Sequence, residues 1–403
     1  MSWPLVKLGD VAKLINGDRG KNYPSKGSFV DKGTPFINAG CLSNEHTLIH
    51  AELNFITEEK FDSLRSGKIE KGDILFCLRG SLGKFALVNT NIKGAIASSL
   101  VIIRANEKVC IDYLKHYLGS FLCQREIQAY ENGAAQPNLS ATDLKSFQIP
   151  LPPLEEQKRI AAILDKADAI RQKRKQAIDL ADEFLRSVFL DMFGDPVTNP
   201  KGWKVKNIVN LAAKEKHAIK RGPFGGALKK EIFVNSGYLV YEQYHALNND
   251  FEFARYFIDE SKYQELEAFK VSVGDIIISC SGVNLGRLAI VPEGSPEGII
   301  NQALLKVKLD ESKMLNDMFV AIFTHPNFKN EFFGEHRGSG VPNLPPMSTF
   351  KEFGFIVPPL DEQKRYLKVV DKVKVLKRRI ANSVSSANEQ FNSLSQKAFS
   401  GQL

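Results

Sequence analysis

The sequence predicts a mixed α/β (α+β) fold built from two copies of one unit, each a globular domain followed by a long helix. The nonapeptide PPLEEQKRI, from Pro152 to Ile160, returns as PPLDEQKRY, from Pro358 to Tyr366. The stretch GDILFCLRGSLGKFALV at 72–88 matches GDIIISCSGVNLGRLAIV at 274–291 with one inserted residue. Two such matches in one order indicate a duplicated domain rather than a short-period solenoid.

Further matches complete the duplication. Trp3 and Trp203, the only tryptophans, open the similar patterns WPLVKLGDV and WKVKNIVNL, and QPNLS at 136–140 matches VPNLP at 341–345. The chain therefore divides into four segments, at residues 1–150, 151–195, 196–357 and 358–403.

The globular segments combine short apolar runs with Gly-rich turns, which is typical of strands joined by tight connections. We expect strands at Ile74–Arg79, Lys84–Val88 and Ser98–Arg104, and in the second copy at Asp275–Ser279, Arg287–Val291 and Ala303–Leu309. The amphipathic segment Asp112–Ile127 predicts a helix.

Segments 151–195 and 358–403 each predict one helix of about 40 residues, roughly 60 Å long at 1.5 Å per residue. Proline followed by acidic residues favours a helix start, and neither proline nor glycine interrupts Leu154–Phe193 before Gly194. Apolar residues recur with a period near 3.5, which predicts that the helices pair as an antiparallel coiled coil; the alternative is that each packs on its own globular domain. The predicted seams are Ile160, Ile163, Ala167, Ile170, Ala177, Ala181, Phe184 and Val188, and Val370, Val373, Leu376, Ile380, Val384, Ala387, Phe391 and Leu394.

Composition excludes few functions. The formal net charge is +8, and the segment 358–403, with nine basic and four acidic residues, carries the largest excess. This charge permits a polyanionic partner without requiring one. Neither an apolar run of membrane-spanning length nor a secretory signal is evident, and the five scattered cysteines favour reduced thiols in the cytoplasm.

The order domain, helix, domain, helix resembles the specificity (S) subunits of type I restriction-modification enzymes along essentially the whole chain. The residues that carry the resemblance are PLPPLEEQKRIAAIL at 150–164, its echo PPLDEQKR, the GSLGKFALV-type turn and AAQPNLSATDLK at 134–145. The resemblance implies that segments 1–150 and 196–357 are target recognition domains, separated by two antiparallel spacer helices. It implies that each domain reads one half of a bipartite sequence in double-stranded DNA.

The resemblance also implies partners. Two methyltransferase (M) subunits dock on the chain, and restriction (R) subunits complete the complex. The chain itself is then a non-catalytic subunit that binds no cofactor, while its partners use S-adenosylmethionine, ATP and Mg for adenine methylation and DNA cleavage.

Base-specific recognition needs Arg, Lys, Asn or Gln side chains that reach base edges, with phosphate contacts to fix the register. The candidates share positions in polar loops or in the turns that follow predicted strands: Arg19, Lys21, Asn22, Arg79, Ser81 and Lys84 in the first copy, and Arg221, Lys229, Lys230, Asn284 and Arg287 in the second. Candidates for docking are the recurring residues of the nonapeptide: Gln157, Lys158 and Arg159, and Gln363, Lys364 and Arg365. Each basic residue could instead be a solvated surface charge, and the recurrence could reflect shared ancestry alone.

A basic cluster lies near the middle of each helix: Arg171, Lys173, Arg174 and Lys175 in the first, and Lys372, Lys374, Lys377, Arg378 and Arg379 in the second. Antiparallel pairing is expected to bring the clusters to one level, where their repulsion calls for acids or a polyanion. We therefore expect Lys374, Lys377, Arg378 and Arg379 to meet DNA phosphates or an acidic partner surface.

The residues provide no convincing catalytic or metal site. GDRGKN at 17–22 lacks the spacing of a phosphate-binding loop, and Asn343–Met347 is a broken match to an amino-methyltransferase motif. The stretch FFGEHRGSG at 332–340 is a weak match to a Gly-rich cofactor loop, and His46 and His50 lack further metal ligands. Two alternatives remain open, a coiled-coil scaffold that does not read DNA and a diverged methyltransferase that binds S-adenosylmethionine.

Overall fold

The computed structural model describes residues 3–130, 138–224, 226–334 and 343–403. The chain forms two compact units, one of residues 1–176 with 380–403 and one of residues 177–379. Each unit therefore combines a globular domain with parts of both long helices. No helix within the described ranges is long and apolar enough to span a membrane.

Over residues 3–130 and 138–150 the first globular domain contains ten strands and five short α-helices, which the first long helix follows. In chain order they are β1 (Leu5–Lys7), α1 (Leu8–Val11), β2 (Ala12–Asn16), β3 (Phe29–Val30), β4 (Thr34–Ile37), β5 (Asn54–Ile56), α2 (Glu58–Ser63), β6 (Ile74–Cys77), β7 (Phe85–Leu87), β8 (Ala95–Ile96), β9 (Leu100–Ala105), α3 (Ile111–Leu118), α4 (Phe121–Gln128), α5 (Ala141–Ser146) and β10 (Gln148–Pro150), followed by α6 (Leu154–Phe193).

The second domain has a similar order. Its elements are β11 (Lys204–Asn207), α7 (Ile208–Leu211), β12 (Ile219–Arg221), β13 (Tyr238–Tyr241), α8 (Gln243–Asn248), β14 (Phe257–Ile258), α9 (Glu260–Glu265), β15 (Lys270–Val271), β16 (Ile276–Ser279), β17 (Leu288–Ile290), β18 (Gly298–Ile300), β19 (Leu304–Val307), α10 (Asn316–Thr324), α11 (Pro326–Phe333), α12 (Met347–Glu352) and β20 (Gly354–Val357), followed by α13 (Leu360–Ser400). Compared with the first domain, it has one further helix, α8, between β13 and β14, and it has strand β15 after α9.

The central sheets of the two domains have the same antiparallel topology. The strand order is β2-β9-β6-β7 in the first domain and β12-β19-β16-β17 in the second. A second four-stranded sheet accompanies each, with one parallel pair, β4–β8 or β13–β18. These matched topologies confirm the predicted duplication, and the six predicted strands are all present, most of them shorter than predicted.

Alternation along β6 places apolar side chains on both faces of the central sheet. Ile74 and Phe76 join a cluster with α3 and α6, whereas Leu75 and Cys77 join a cluster with β4 and the loops beyond it. Both faces are therefore buried, which explains why this strand is a continuous apolar run rather than an alternating one.

The helix predicted at Asp112–Ile127 is two helices. Helix α3 ends at Leu118, and α4 begins after Ser120, whose side-chain oxygen accepts a hydrogen bond from the backbone N–H of Cys123. Ser120 is therefore an N-cap, and a cap of this kind starts a new helix even where the apolar periodicity continues.

The long helices begin and end where the sequence predicts, and within each unit they run antiparallel. In the first unit Arg174 of α6 donates to the carbonyl of Ser383 in α13, at 2.9 Å. In the second, Lys377 of α13 donates to Asp182 of α6, at 2.6 Å. Each helix also packs on a globular core, as Ile160 and Leu164 do, so both predicted modes of packing occur.

The predicted seam is wrong at three positions. Ile170, Phe184 and Leu376 are exposed by 52%, 52% and 50%. In the third turn of α6 the fully buried residue is Leu164 rather than Ile163, because α6 must face a globular core as well as α13.

Candidate nucleic-acid interface

The candidate DNA contacts on the globular domains lie in loops and turns that leave one end of each central sheet. In the first domain this end is formed where β2 and β6 finish, at Asn16 and Cys77, and where β9 starts at Leu100. The loops that carry Arg19, Lys21 and Asn22 and the turn that carries Arg79, Ser81 and Lys84 leave from these strand ends. Residues separated by 60 positions in the sequence thus share one edge, which we call the interface end of the sheet.

An arginine–asparagine pair defines the interface end of the first domain. The Nε of Arg79 donates to Oδ1 of Asn138 at 2.9 Å, and the two residues also form a β-bridge. The backbone N–H of Leu139 donates to the carbonyl of Leu78 at 3.0 Å, which fixes this segment against the end of β6. Arg79 is exposed, so its guanidinium is held in place while facing solvent.

The second domain builds the same pair from a different strand. Nη2 of Arg221, the last residue of β12, donates to Oδ1 of Asn343 at 3.0 Å. Asn343 forms its β-bridge with Ser281, the position that matches Arg79 in the repeat. The asparagine is therefore retained, while the guanidinium comes from an edge strand instead of the central turn.

The register of the sheets shows how far the arginine has moved. Arg221 pairs with Leu305 as Asn16 pairs with Val101 in the first domain. Arg221 is half-buried, its guanidinium lies 5.1 Å from the ring centroid of Phe224, and its Nε is buried without a hydrogen-bond partner. The two interface ends thus present different donors to a ligand, as two different half-sites require.

Three of the remaining candidates hydrogen-bond to backbone carbonyls of their own domain. Arg19 donates to the carbonyl of Ser98 at 3.4 Å, and Arg287 to that of Leu247 at 3.2 Å. Asn22 donates to the carbonyl of Ser63 at 2.8 Å, so its amide is partly committed to the fold. Lys84 is half-buried. The other loop and turn candidates are exposed, namely Lys21, Ser81, Lys229, Lys230 and Asn284.

A glycine directly after the edge strand brings each loop close to the neighbouring backbone. A Cβ on Gly17 would lie 2.7 Å from the carbonyl oxygen of Ala97, and one on Gly222 would lie 1.9 Å from that of Asn301. A side chain at either position would displace the backbone. The two loops therefore start from the same close approach, although their sequences barely align.

Sequence reasoning missed the asparagines of the pairs and Gln243. The Nε2 of Gln243 donates to Oγ of Ser279 and to the carbonyl of Ser281, both at 3.0 Å, which fixes the strand end beside Asn343. The recurrence of PNL in QPNLS and VPNLP was the available signal. It did not reveal the pairing because the arginine partners lie 59 and 122 residues away.

The basic clusters of the two long helices lie in different units, and within its own unit each cluster faces other residues of the partner helix. In its own unit the α6 cluster faces Ser383 and Phe391 of α13, with the guanidinium of Arg171 4.4 Å from the Phe391 ring centroid. In the other unit Lys377 faces Asp182, and Lys374 pairs with Asp317 at 2.7 Å. The predicted alignment of the clusters is therefore wrong, and aspartates offset two of the four proposed cations. Arg378 and Arg379 are exposed.

The docking candidates separate into buried and exposed residues. Gln157 and Gln363 are 1% and 0% exposed, so their side chains lie beneath the surface and do not reach a partner. Each side chain makes three hydrogen bonds within its own unit, to the loop before α3 or α10 and to the proline at the start of its helix. The predicted docking role of Gln157 and Gln363 is therefore wrong, and these hydrogen bonds explain why the glutamine occurs in both copies. Lys158, Arg159, Lys364 and Arg365 are exposed.

The interface ends do not present an activated nucleophile. Burial raises the pKa of the Cys77 thiol, and it raises that of Cys280 to about 12, so both stay protonated at neutral pH. Within the four described ranges, no group of three His, Cys, Asp or Glu residues is placed to hold a metal. Three predicted stretches lie partly outside the described residues: most of the Gly-rich stretch at 332–340, residues 134–137 of the AAQPNLSATDLK stretch, and residues 341–342 of the VPNLP stretch.

Two pseudo-repeated mixed domains, each joined to a long helix and carrying polar groups at one sheet end, define a protein with two related recognition surfaces. The family model for the type I restriction modification DNA specificity domain matches residues 2–180 and 200–385. The chain belongs to this family, which confirms the resemblance in its sequence, and it is a DNA specificity subunit rather than a catalytic one.

Individual relatives agree with this membership along most of their lengths. The chain is 24% identical over 409 residues to the putative type I restriction enzyme MjaX specificity subunit of Methanocaldococcus jannaschii, covering 97% of this chain and 92% of the relative. It is 22% identical over 426 residues to the StySPI specificity subunit of Salmonella potsdam, covering 100% and 89%. A solved type I R-M system structure contains a chain of the same fold, with a TM-score of 0.61, 18% identity, and coverage of 100% and 98%.

Proposed function

We propose that each globular domain reads one half of a bipartite DNA sequence with the interface end of its central sheet. Residues 1–150 and 196–357 are the target recognition domains, and residues 151–195 and 358–403 are the spacer helices. The observation that carries the proposal is the arginine–asparagine pair, which occurs in both domains although its arginine comes from the turn after β6 in the first and from edge strand β12 in the second. Arginine and asparagine are the side chains best suited to read guanine and adenine in the major groove.

A pair of this kind favours specific reading because it restricts the guanidinium before DNA arrives. A fixed donor fork loses less conformational entropy on binding than a free side chain does. In the first domain exposed Arg79 bonds Asn138 through Nε, which leaves its terminal nitrogens to a ligand, and Ser81 and Lys84 follow in the same turn. Arg19, Lys21 and Asn22, and Lys229, Lys230, Asn284 and Arg287 in the second domain, are proposed to fix the register through phosphates.

The proposal includes partners that the chain directs. The exposed cations Lys158, Arg159, Lys364 and Arg365 begin two equivalent helices, and two equivalent surfaces suit two copies of one methyltransferase subunit. Restriction subunits would complete a cytoplasmic complex in which the partners use S-adenosylmethionine, ATP and Mg. Lys374, Lys377, Arg378 and Arg379 are proposed to meet phosphates of the unread spacer DNA, chiefly through the two arginines that no aspartate offsets.

The test is a methylome. The chain is expressed with its methyltransferase partner in a host free of DNA methylation, and modified adenines are mapped by single-molecule sequencing. A split motif with a fixed run of unspecified bases is the expected result. Arg79→Ala should relax one half and Arg221→Ala the other, each by about 1–3 kcal/mol of discrimination.

The control for the two arginine variants is Lys71→Gln, which removes an exposed charge at the opposite end of the first sheet and should leave the motif intact. A stable complex that methylates without any sequence motif would overturn the proposal and favour the scaffold alternative. Relaxation of the same half by both arginine variants would contradict the assignment of one half to each domain.

A further inference from the structure

The edge strand of the second domain contains an insertion that the first domain lacks. In the first domain one residue, Lys13, pairs with Arg104 of the neighbouring strand. In the second, Ala213 donates to the carbonyl of Lys308 at 2.9 Å, and the N–H of Lys308 donates to the carbonyl of Ala218 at 2.7 Å. Residues 214–217 therefore loop out of the sheet edge, with Lys214, Glu215 and Lys216 all exposed.

A groove of about 570 Å³ runs from this insertion along β12 to the interface end. Its lining includes three cations, Lys220, Arg221 and Lys351, and one carboxylate, Glu215. Glu215 is already paired with Lys308, 3.0 Å away, so the charge that the groove presents is positive.

Aromatic rings hold two of these cations at the surface of the groove. The ammonium of Lys220 lies 5.0 Å from the ring centroid of Phe269, and Arg221 lies over Phe224, which is itself 64% exposed. A cation placed on a ring keeps its charge while losing side-chain freedom. Burial, together with Lys220 and Lys216, lowers the pKa of His217, so that this ring is a neutral hydrogen-bonding group in the groove.

We propose that this groove binds the phosphodiester backbone of DNA next to the half-site read by the second domain. The proposal rests on the proposed function, because Arg221 belongs both to the groove and to the arginine–asparagine pair. The groove takes its cations from two elements, Lys220 and Arg221 from edge strand β12 and Lys351 from helix α12, rather than from a donor cluster facing one point, which fits successive phosphates better than base edges. The second domain should therefore hold DNA over a longer stretch than its target sequence alone would need.

The experiment measures DNA affinity of the assembled complex against salt, for DNA containing the methylated motif and for DNA of unrelated sequence. The variant is Lys220→Gln with Lys351→Gln. Each lost phosphate contact lowers the slope of log affinity against log salt by about 0.9, so the double variant should lose about 1.8 on both DNAs. When salt is raised from 50 to 200 mM, the affinity of the double variant should therefore fall by a factor about twelvefold smaller than the factor by which the wild-type affinity falls.

Two further variants isolate charge from folding. Lys220→Arg with Lys351→Arg keeps both charges and should retain the wild-type slope. Lys71→Gln with Lys108→Gln removes two exposed charges at the far end of the first domain's sheet and should also retain it. The methylation motif should stay unchanged in all of them.

The outcomes separate this proposal from the function on which it rests. Wild-type binding without sequence preference, but with a slope that the groove variant lowers, would overturn sequence reading and support the groove. A retained motif with an unchanged slope would overturn the groove. Loss of methyltransferase subunits from the groove variant on a sizing column, at an unchanged slope, would assign the groove to a protein partner and also overturn the proposal.

Discussion

The repeated glutamine provides the most direct test of how the long helices are anchored. Oε1 of Gln157 accepts from the N–H of Cys110 at 2.8 Å, and Nε2 donates to the carbonyls of Lys108 and Pro152 at 3.1 and 2.9 Å. Gln157→Ala removes all three bonds and leaves buried backbone groups without partners. At about 0.5–1.5 kcal/mol for each bond, the free energy of unfolding should fall by about 2–4 kcal/mol.

The second unit supplies a matched replicate of this experiment. Gln363 bonds Leu315 N–H and the carbonyls of Lys313 and Pro358 at 2.9, 3.0 and 2.8 Å, so Gln363→Ala should cost a similar amount. Lys158→Ala, at an exposed neighbouring position, should change stability by less than about 0.5 kcal/mol.

Urea denaturation followed by tryptophan fluorescence measures these losses, and the two tryptophans lie in different units. The indole of Trp3 donates to the carbonyl of Ala398, and that of Trp203 to the carbonyl of Phe193, both at 2.9 Å. With Trp203→Phe as background, the signal reports the unit that contains Gln157. A loss below 1 kcal/mol, or one equal to that of Lys158→Ala, would refute the reasoning that burial and bonding explain the repeated glutamine.

Three further predictions concern stability and binding. Lys306→Met should destabilise the second domain by about 3–5 kcal/mol, because it leaves the buried Asp275 without its ion partner, 3.9 Å away. Adding Asp275→Asn should recover most of this loss. Chemical denaturation gives the free energy of unfolding of the single and the double variant. Burial lowers the pKa of His116 in the folded state, so the neutral ring stabilises the fold above the unfolded pKa of about 6.5, and this stabilisation is lost as pH falls through the folded pKa. The fall in the free energy of unfolding between pH 7.5 and pH 5.5 should therefore be smaller in His116→Gln than in the wild type. An equal fall would contradict this. Arg378→Gln with Arg379→Gln should lower the salt slope of DNA binding more than Lys374→Gln with Lys377→Gln, since aspartates already offset both lysines; equal slopes for all would remove the helix clusters from the DNA contacts.

Local signals were sufficient for the duplication, the strands of the central sheets and the bounds of both long helices. Proline at a helix start, acidic residues in the first turn and glycine at the end act on neighbouring residues, so they predict the bounds of a helix without knowledge of the fold. The helix seam was predicted less well. The period of the apolar residues does not show that α6 packs on a globular core as well as on α13, and this is why the predicted seam residues Ile170 and Phe184 are exposed.

The family, and with it the role of DNA specificity subunit, was determined by the sequence itself, because the repeated order and the PPLEEQKR-type helix starts are visible along the chain. Only the tertiary structure decided which residues meet. It buried Gln157 and Gln363, brought Arg79 to Asn138 and Arg221 to Asn343, and placed an inserted loop beside a basic groove. These outcomes depend on strand register and on contacts between residues far apart in the chain, and a shift of one residue in register would turn each side chain to the opposite face of the sheet.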